Sequence, residues 1–245
     1  MSRLRFVGRL SRLLLLVPAY LMMHGAWRVV GRPSPWPTRF LAAAARACGV
    51  RASLVGEPLR QDVMVVANHL SWLDILILGG TCGCAFVSKA ELEGVPVIGW
   101  LATLNRTIFI RRDERRAVPA QIAAIQAGMA AGPVAIFPEG TTGDGVTLLP
   151  FKPALFGALD PPSPGARLQP VFLDYGNLAA EVAWGEEGGA ANARRVLGRV
   201  GTIAVRVHCL KPIDPVAAGG RKAIAATARE RIEEALGTRT QAQQG

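Results

Sequence analysis

The run Val63-Met64-Val65-Val66-Ala67 leads straight into Asn68-His69-Leu70-Ser71-Trp72-Leu73-Asp74, and the join decides the fold. Five apolar residues rich in β-branched valine have the length and composition of a buried strand. A second apolar run, Ile75-Leu76-Ile77-Leu78, follows at once and meets Gly79-Gly80, which reads as a helix stop. A strand that turns into a helix is an α/β unit, and on such scaffolds chemistry collects where strands end. His69 is the side chain suited to take a proton near neutral pH. A carboxylate five residues on, Asp74, can hold its tautomer and stabilise the imidazolium. A plainer reading competes: Ser71 and Asp74 also have capping-box spacing, in which Asp74 only satisfies backbone donors at a helix start.

Toward the C-terminus, Ala85 to Ser88 reads as a strand with Lys89 at its carboxyl end, and Val95 to Leu104 as an apolar helix under the site. The segment Arg106-Thr107-Ile108-Phe109-Ile110-Arg111-Arg112 alternates like a strand that ends in cations. A guanidinium fork there suits a phosphate or carboxylate. The competing reading is a solvated charge run, because Asp113, Glu114, Arg115 and Arg116 continue it. Val118 to Ala131 is an alanine-rich helix, and Val134 to Phe137 a buried strand. That strand ends in Pro138-Glu139-Gly140-Thr141-Thr142, where small residues let backbone N–H groups approach a polar substrate. Glu139 at a buried strand end needs donors or a substrate hydroxyl. Lys152 precedes another short helix, Thr202 to Leu210 is a strand with His208 facing outward beside Arg206, and Arg221 to Leu236 is a surface helix.

The chain has 245 residues and a formal charge of +10, almost all of it in the first sixty residues, where ten arginines face one carboxylate, Glu57. Such asymmetry points to nucleic acid or to an anionic membrane surface. The apolar run Leu13 to Met23 between those arginines favours the membrane over nucleic acid. Eleven apolar residues are short for a bilayer crossing, and Pro18 falls near the middle. The expectation is a helix lying on or dipping into the cytoplasmic leaflet of the inner membrane, with arginines at anionic headgroups. A spanning helix, a signal peptide and a core helix are the alternatives. Gly31 to Pro37 is a hinge, Thr38 caps a helix to Cys48, and Val50 to Val55 is a strand. Thr238 to Gly245 reads as a loose tail.

Cys48, Cys82, Cys84 and Cys209 match no zinc or thioredoxin spacing and read as thiols in a reducing compartment. No G-x-S-x-G, Walker A, G-x-G-x-x-G or H-E-x-x-H sequence occurs, so serine hydrolases, nucleotide kinases, dinucleotide enzymes and zinc proteases lose their usual signatures. No metal or cofactor is expected.

Asn68-His69-x-Ser71-x-x-Asp74 followed some seventy residues later by Phe137-Pro138-Glu139-Gly140-Thr141 resembles the 1-acylglycerol-3-phosphate O-acyltransferase family, over roughly residues 38–215. The resemblance implies His69 as general base, Asp74 as its orienting carboxylate, and Glu139, Gly140 and Thr141 in the acceptor site. It also implies Arg112 on the acceptor's phosphate, with Lys89, Arg111 and Lys152 as further charge, and Pro170-Val171-Phe172-Leu173 as a fourth block. Arg106 stands where the family's second block opens with glycine.

The expected fold is α/β, with a mixed, largely parallel sheet flanked by helices. A membrane-associated segment (1–37) precedes an acyltransferase domain (38–237) and the tail (238–245). The expected reaction moves an acyl group from acyl-CoA or acyl carrier protein, as co-substrate, to the hydroxyl of a lysophospholipid. The first acceptor is 1-acylglycerol-3-phosphate and the alternative is lyso-ornithine lipid. A non-catalytic lipid-binding protein of the membrane is the competing class.

Overall fold

Strand β2 is built from the valine run and has no exposed residue, because both of its faces are covered by helices. The computed structural model describes residues 2–111 and 114–242. Two helices come first, α1 (Ser2–Val29) and α2 (Trp36–Ala47), then β1 (Val50–Val55) and β2 (Val63–Ala67). Next come α3 (Leu73–Thr81), β3 (Ala85–Lys89), α4 (Ile98–Leu104), β4 (Ile108–Ile110), α5 (Val118–Ala130) and β5 (Val134–Ile136). A 3₁₀ segment, Pro153–Leu159, leads to β6 (Arg167–Asp174), α6 (Ala179–Val182) and α7 (Gly189–Gly198). The chain closes with β7 (Ile203–Cys209), α8 (Pro215–Ala218) and α9 (Arg221–Ala242).

The strands form one sheet in the order β1-β7-β6-β2-β5-β3-β4. Neighbours are parallel except β6 and β7, which are antiparallel, so β1 and β7 run against the other five. This is the mixed, largely parallel sheet the sequence predicts. Alternation along β2 divides the core: Val63, Val65 and Ala67 pack with Leu73, Ile77 and Leu78 of α3. Met64 and Val66 pack on the other face with Ile125 and Met129 of α5 and Ile224 and Ile232 of α9.

Several sequence expectations need correction. Helix α3 does not stop at Gly79-Gly80 but runs through both. A Cβ on Gly80 would lie 2.6 Å from the Ala42 backbone, and one on Gly79 would lie 2.3 Å from Leu41 Cδ1. These glycines let α3 press against α2, and overpacking there costs about 1–3 kcal/mol. Helix α2 begins at Trp36, ahead of Thr38, with Pro37 in its first turn. The helix expected over Val95 to Leu104 is only Ile98–Leu104 and is not under the site, since Val97, Ile98 and Trp100 are exposed. The strand expected from Arg106 shrinks to Ile108–Ile110. Arg106 sits at φ 60°, the left-handed region in which the family's glycine is at home, and donates to the Ala131 carbonyl at 2.8 Å.

Helix α1 extends well past the apolar run and continues unbroken through Pro18. Its best 18-residue window has mean hydropathy 1.5, so by length and composition it is long and apolar enough to cross a membrane. Not all of its arginines point outward. Arg9 donates to the carbonyls of Val196, Leu197 and Gly201 at 2.9–3.3 Å, and Arg5 to that of Gly198 at 3.2 Å. A cation at the carbonyl end of α7 satisfies acceptors that no helical N–H can reach. Phe6 and Leu13 rest on the core, whereas Leu14, Leu15, Met22 and Met23 are exposed. At the other end of the chain, α9 remains helical through Ala242, beyond Thr238 where the tail was expected to begin. His208 is a further correction: it is half-buried against Phe172 rather than turned to solvent.

Candidate active site

Sheet order brings the two sequence blocks together. Val66 of β2 pairs with Ile136 of the adjacent parallel β5, so His69 and Glu139, each three residues past that pair, lie side by side beyond the carboxyl ends of neighbouring strands. Helix α3 then starts immediately, which places Asp74 in its first turn. Its Oδ2 accepts from His69 Nδ1 at 2.8 Å and from the backbone N–H groups of Leu70 and Ser71 at 2.7 and 2.8 Å. The two competing readings of Asp74 therefore hold at once: it satisfies the helix start and it faces the imidazole. Its Oδ1 accepts from the hydroxyl of Tyr175, a contact that no spacing of residues reveals. Asp74 is fully buried, and the His69 side chain is 19% exposed.

The turn that carries His69 is fixed on every side. Its own N–H donates to Glu139 Oε1 at 2.8 Å, and its carbonyl accepts from Gly143 at 2.7 Å. The Leu70 carbonyl accepts from Trp184 at 2.7 Å. Asn68 joins the turn to β6 by donating to the Leu173 carbonyl and accepting from its N–H at 2.8 Å. The Phe137 ring stacks on the imidazole with centroids 4.0 Å apart. Among the described residues Nε2 of His69 has no hydrogen-bond partner. With Nδ1 given to a carboxylate, Nε2 is the nitrogen left to take a proton.

Glu139 uses both carboxylate oxygens on the protein, Oε1 on His69 N–H and Oε2 on Leu149 N–H at 3.0 Å. Burial raises its pKa above the usual carboxylate value, against the pull of those two N–H groups. Gly140 turns at φ 76°, and Lys152 Nζ lies 2.5 Å from where a Cβ would stand, so these two expected residues do meet. Thr141 is exposed. Lys89 is exposed at the end of β3, the next strand over from β5. Arg111 follows the edge strand β4, exposed and 3.5 Å from Glu114. Three strand spacings separate β4 from β2, about 14 Å. Arg112 lies outside the described residues.

A narrow cavity of about 10 Å³ opens beside the imidazole, lined by Asn68, His69, Glu139, Phe172 and, from α9, Ile232 and Leu236. That is room for about one water molecule. Sequence reasoning missed α9 as a wall of this site, because the mixed charge of Arg221 to Leu236 reads as a surface helix, whereas Ile224 and Ile232 are buried.

A family model described as Acyltransferase matches residues 51–172. A lyso-ornithine lipid O-acyltransferase of Rhodobacter capsulatus is 34% identical over 98% of this chain and 92% of its own. A 1-acyl-sn-glycerol-3-phosphate acyltransferase of Neisseria meningitidis serogroup B is 32% identical over 77% of this chain and 76% of its own. The crystal structure of the 1-acyl-sn-glycerophosphate acyltransferase of Thermotoga maritima has the same fold, with a TM-score of 0.70 over 97% of both chains at 18% identity. With its two sequence blocks drawn into one site and such relatives spanning most of its length, the chain belongs to the 1-acylglycerol-3-phosphate O-acyltransferase family of lysolipid acyltransferases.

Proposed function

We propose that the protein transfers a fatty acyl group from an acyl thioester, acyl-CoA or acyl carrier protein, to the free hydroxyl of lyso-ornithine lipid. The observation that carries the chemistry is the His69–Asp74 pair beside the cavity, held at Nδ1 and, among the described residues, unpartnered at Nε2. His69 takes the acceptor's hydroxyl proton as that oxygen attacks the thioester carbonyl. Asp74 stabilises the imidazolium. The tetrahedral intermediate collapses by expelling the thiolate, to which the proton is returned. No protein nucleophile is required, because the acceptor attacks directly.

The acceptor is chosen by similarity along the chain. Relatives named for lyso-ornithine lipid match at 31% to 36% identity over 71% to 98% of this chain. The residues alone rank 1-acylglycerol-3-phosphate first, and it remains the second reading. What favours it is the set of cations, Lys89, Arg111 and Lys152, near the ends of β3, β4 and β5, together with Arg112. The purified protein is to be assayed with both lysolipids against both donors, with diacyl product measured. Turnover of lyso-ornithine lipid alone is expected. Turnover of 1-acylglycerol-3-phosphate alone would reverse the order, and no product with either would favour a lipid-binding protein without catalysis.

A further inference from the structure

Alternation along β6 puts Val171, Leu173 and Tyr175 on the face covered by α3 and leaves Phe172 on the other. Tyr175 is 1% exposed, and its hydroxyl is the one polar atom it brings into that apolar layer. A phenol buried without a partner is costly, and this one donates to Oδ1 of Asp74. The other oxygen, Oδ2, already holds His69 and two backbone N–H groups. Four donors on one carboxylate leave it no second orientation.

The tyrosine is itself held from both sides. Before it, Asp174 accepts from Gly176 N–H at 2.8 Å and from the Arg206 guanidinium at 2.8 and 3.0 Å. One residue further back, Leu173 is joined to Asn68 of the histidine turn through both backbone groups. Strand β6 therefore cannot slide relative to that turn without breaking the pairing that brings the hydroxyl to Asp74. Burial and the neighbouring Asp74 charge both push the phenol's pKa up, so it stays a neutral donor.

We propose that Tyr175 is a positioning residue for the His69–Asp74 pair, fixing the carboxylate and setting the basicity of the imidazole. The hydrogen bond disperses Asp74's charge toward Oδ1 and away from the imidazole. Without it that charge returns to Oδ2, and the imidazolium that forms in the proposed reaction is held more tightly. Tyr175 lies behind Asp74 and touches no substrate. The proposal rests on the acyl-transfer reading only for its kinetic test.

The experiment compares wild type and Tyr175→Phe for kcat, both KM values and the pH dependence of kcat/KM. Expected are a fall in kcat of about tenfold, unchanged KM for donor and acceptor, and an acid limb displaced to higher pH. A variant with unaltered kcat and limb overturns the proposal. So does a loss of activity that follows thermal stability while the limb stays in place, since that is what a merely structural tyrosine would give. A second measurement needs neither turnover nor Tyr175→Phe. The chain has two tyrosines, so 3-fluorotyrosine incorporated into Tyr20→Phe protein reports on position 175 alone. Its fluorine resonance should titrate with His69 and cease to do so in His69→Gln protein. A resonance indifferent to His69 overturns the proposal even if the variant fails to fold. If wild type transfers no acyl group but the resonance follows His69, the functional reading fails and the coupling stands.

Discussion

Two corners of the sheet carry the expected site residues, and they are built differently. At the end of β2, in the middle of the sheet, the chain from Asn68 to Asp74 is tied to β5, β6 and the loops at Gly143 and Trp184 by hydrogen bonds of 2.7–3.2 Å. At the end of β4, on the sheet's edge, the Arg111 guanidinium is exposed and lies 3.5 Å from a similarly exposed Glu114. Ion pairs of that kind contribute little in water. The difference teaches where hydrogen bonds are placed: the proposed proton transfer needs fixed geometry, and the histidine corner is the one the fold ties down. In the proposed reaction the headgroup brings its own charge, and an exposed guanidinium such as that of Arg111 is open to pair with it.

The largest expected effect tests the rigid corner. His69→Ala should lower kcat by about 10²–10⁴ while the protein still folds and both substrates still bind, as steady-state kinetics and thermal melting would record. Activity that survives would remove the distinction between the corners, since neither would then carry the chemistry.

Next comes the edge. Arg111→Ala and Arg112→Ala are each expected to raise the acceptor KM by about tenfold for an acceptor that carries a phosphate, and to leave the donor KM alone. Lysine at the effective position should recover part of the loss, because an ammonium cannot form the paired fork. With lyso-ornithine lipid the same variants test whether its carboxylate uses this edge. Equal effects on donor and acceptor would mean that the edge arginines are only a solvated run.

The smallest effect lies at β7. His208 titrates below the ordinary imidazole value of 6.5, through burial first and the Arg206 charge second, with Asp174 opposing. The unfolded chain therefore binds this proton before the folded one as pH falls. The contribution to stability is complete above about 6.5 and is lost as pH drops through the folded value. His208→Gln should flatten that part of the stability curve between pH 7.5 and 5, measured by denaturant unfolding. An unchanged slope would show that the imidazole gains no proton on unfolding.

What could be read from the residues follows the range of the forces involved. The run Val63 to Ala67 became a strand at the limits its composition predicts, because a short valine-rich segment has little else to do. The pairing of His69 with Asp74 was visible because one turn contains both. Gly79-Gly80 was misread because a glycine that ends a helix and one that lets two helices touch look alike until Leu41 and Ala42 are in place. Arg106 was misread because alternation is blind to the sign of φ. Tyr175 stands 101 residues from Asp74 and meets it only because β6 pairs with β2. No local pattern encodes that adjacency.

One feature of α1 has a mechanical side. A helix of 28 residues is about 42 Å long, and near its start Arg5 and Arg9 clamp it to the end of α7. Its far half is held as well, on α2 and the turn before it: Tyr20 meets the Trp36 and Phe40 rings edge-on at 5.8 Å, His24 hydrogen-bonds to Ser34 and Trp27 donates to the Pro33 carbonyl, while Met22 and Met23 stay exposed. Helix α1 is thus a strut fixed near both ends, to α7 through Arg5 and Arg9 and to α2 through Tyr20, and a torque applied to its exposed side is passed to the whole domain. A surface that grips the far half does not merely hold the protein nearby; it sets the angle at which the cavity beside His69 faces that surface.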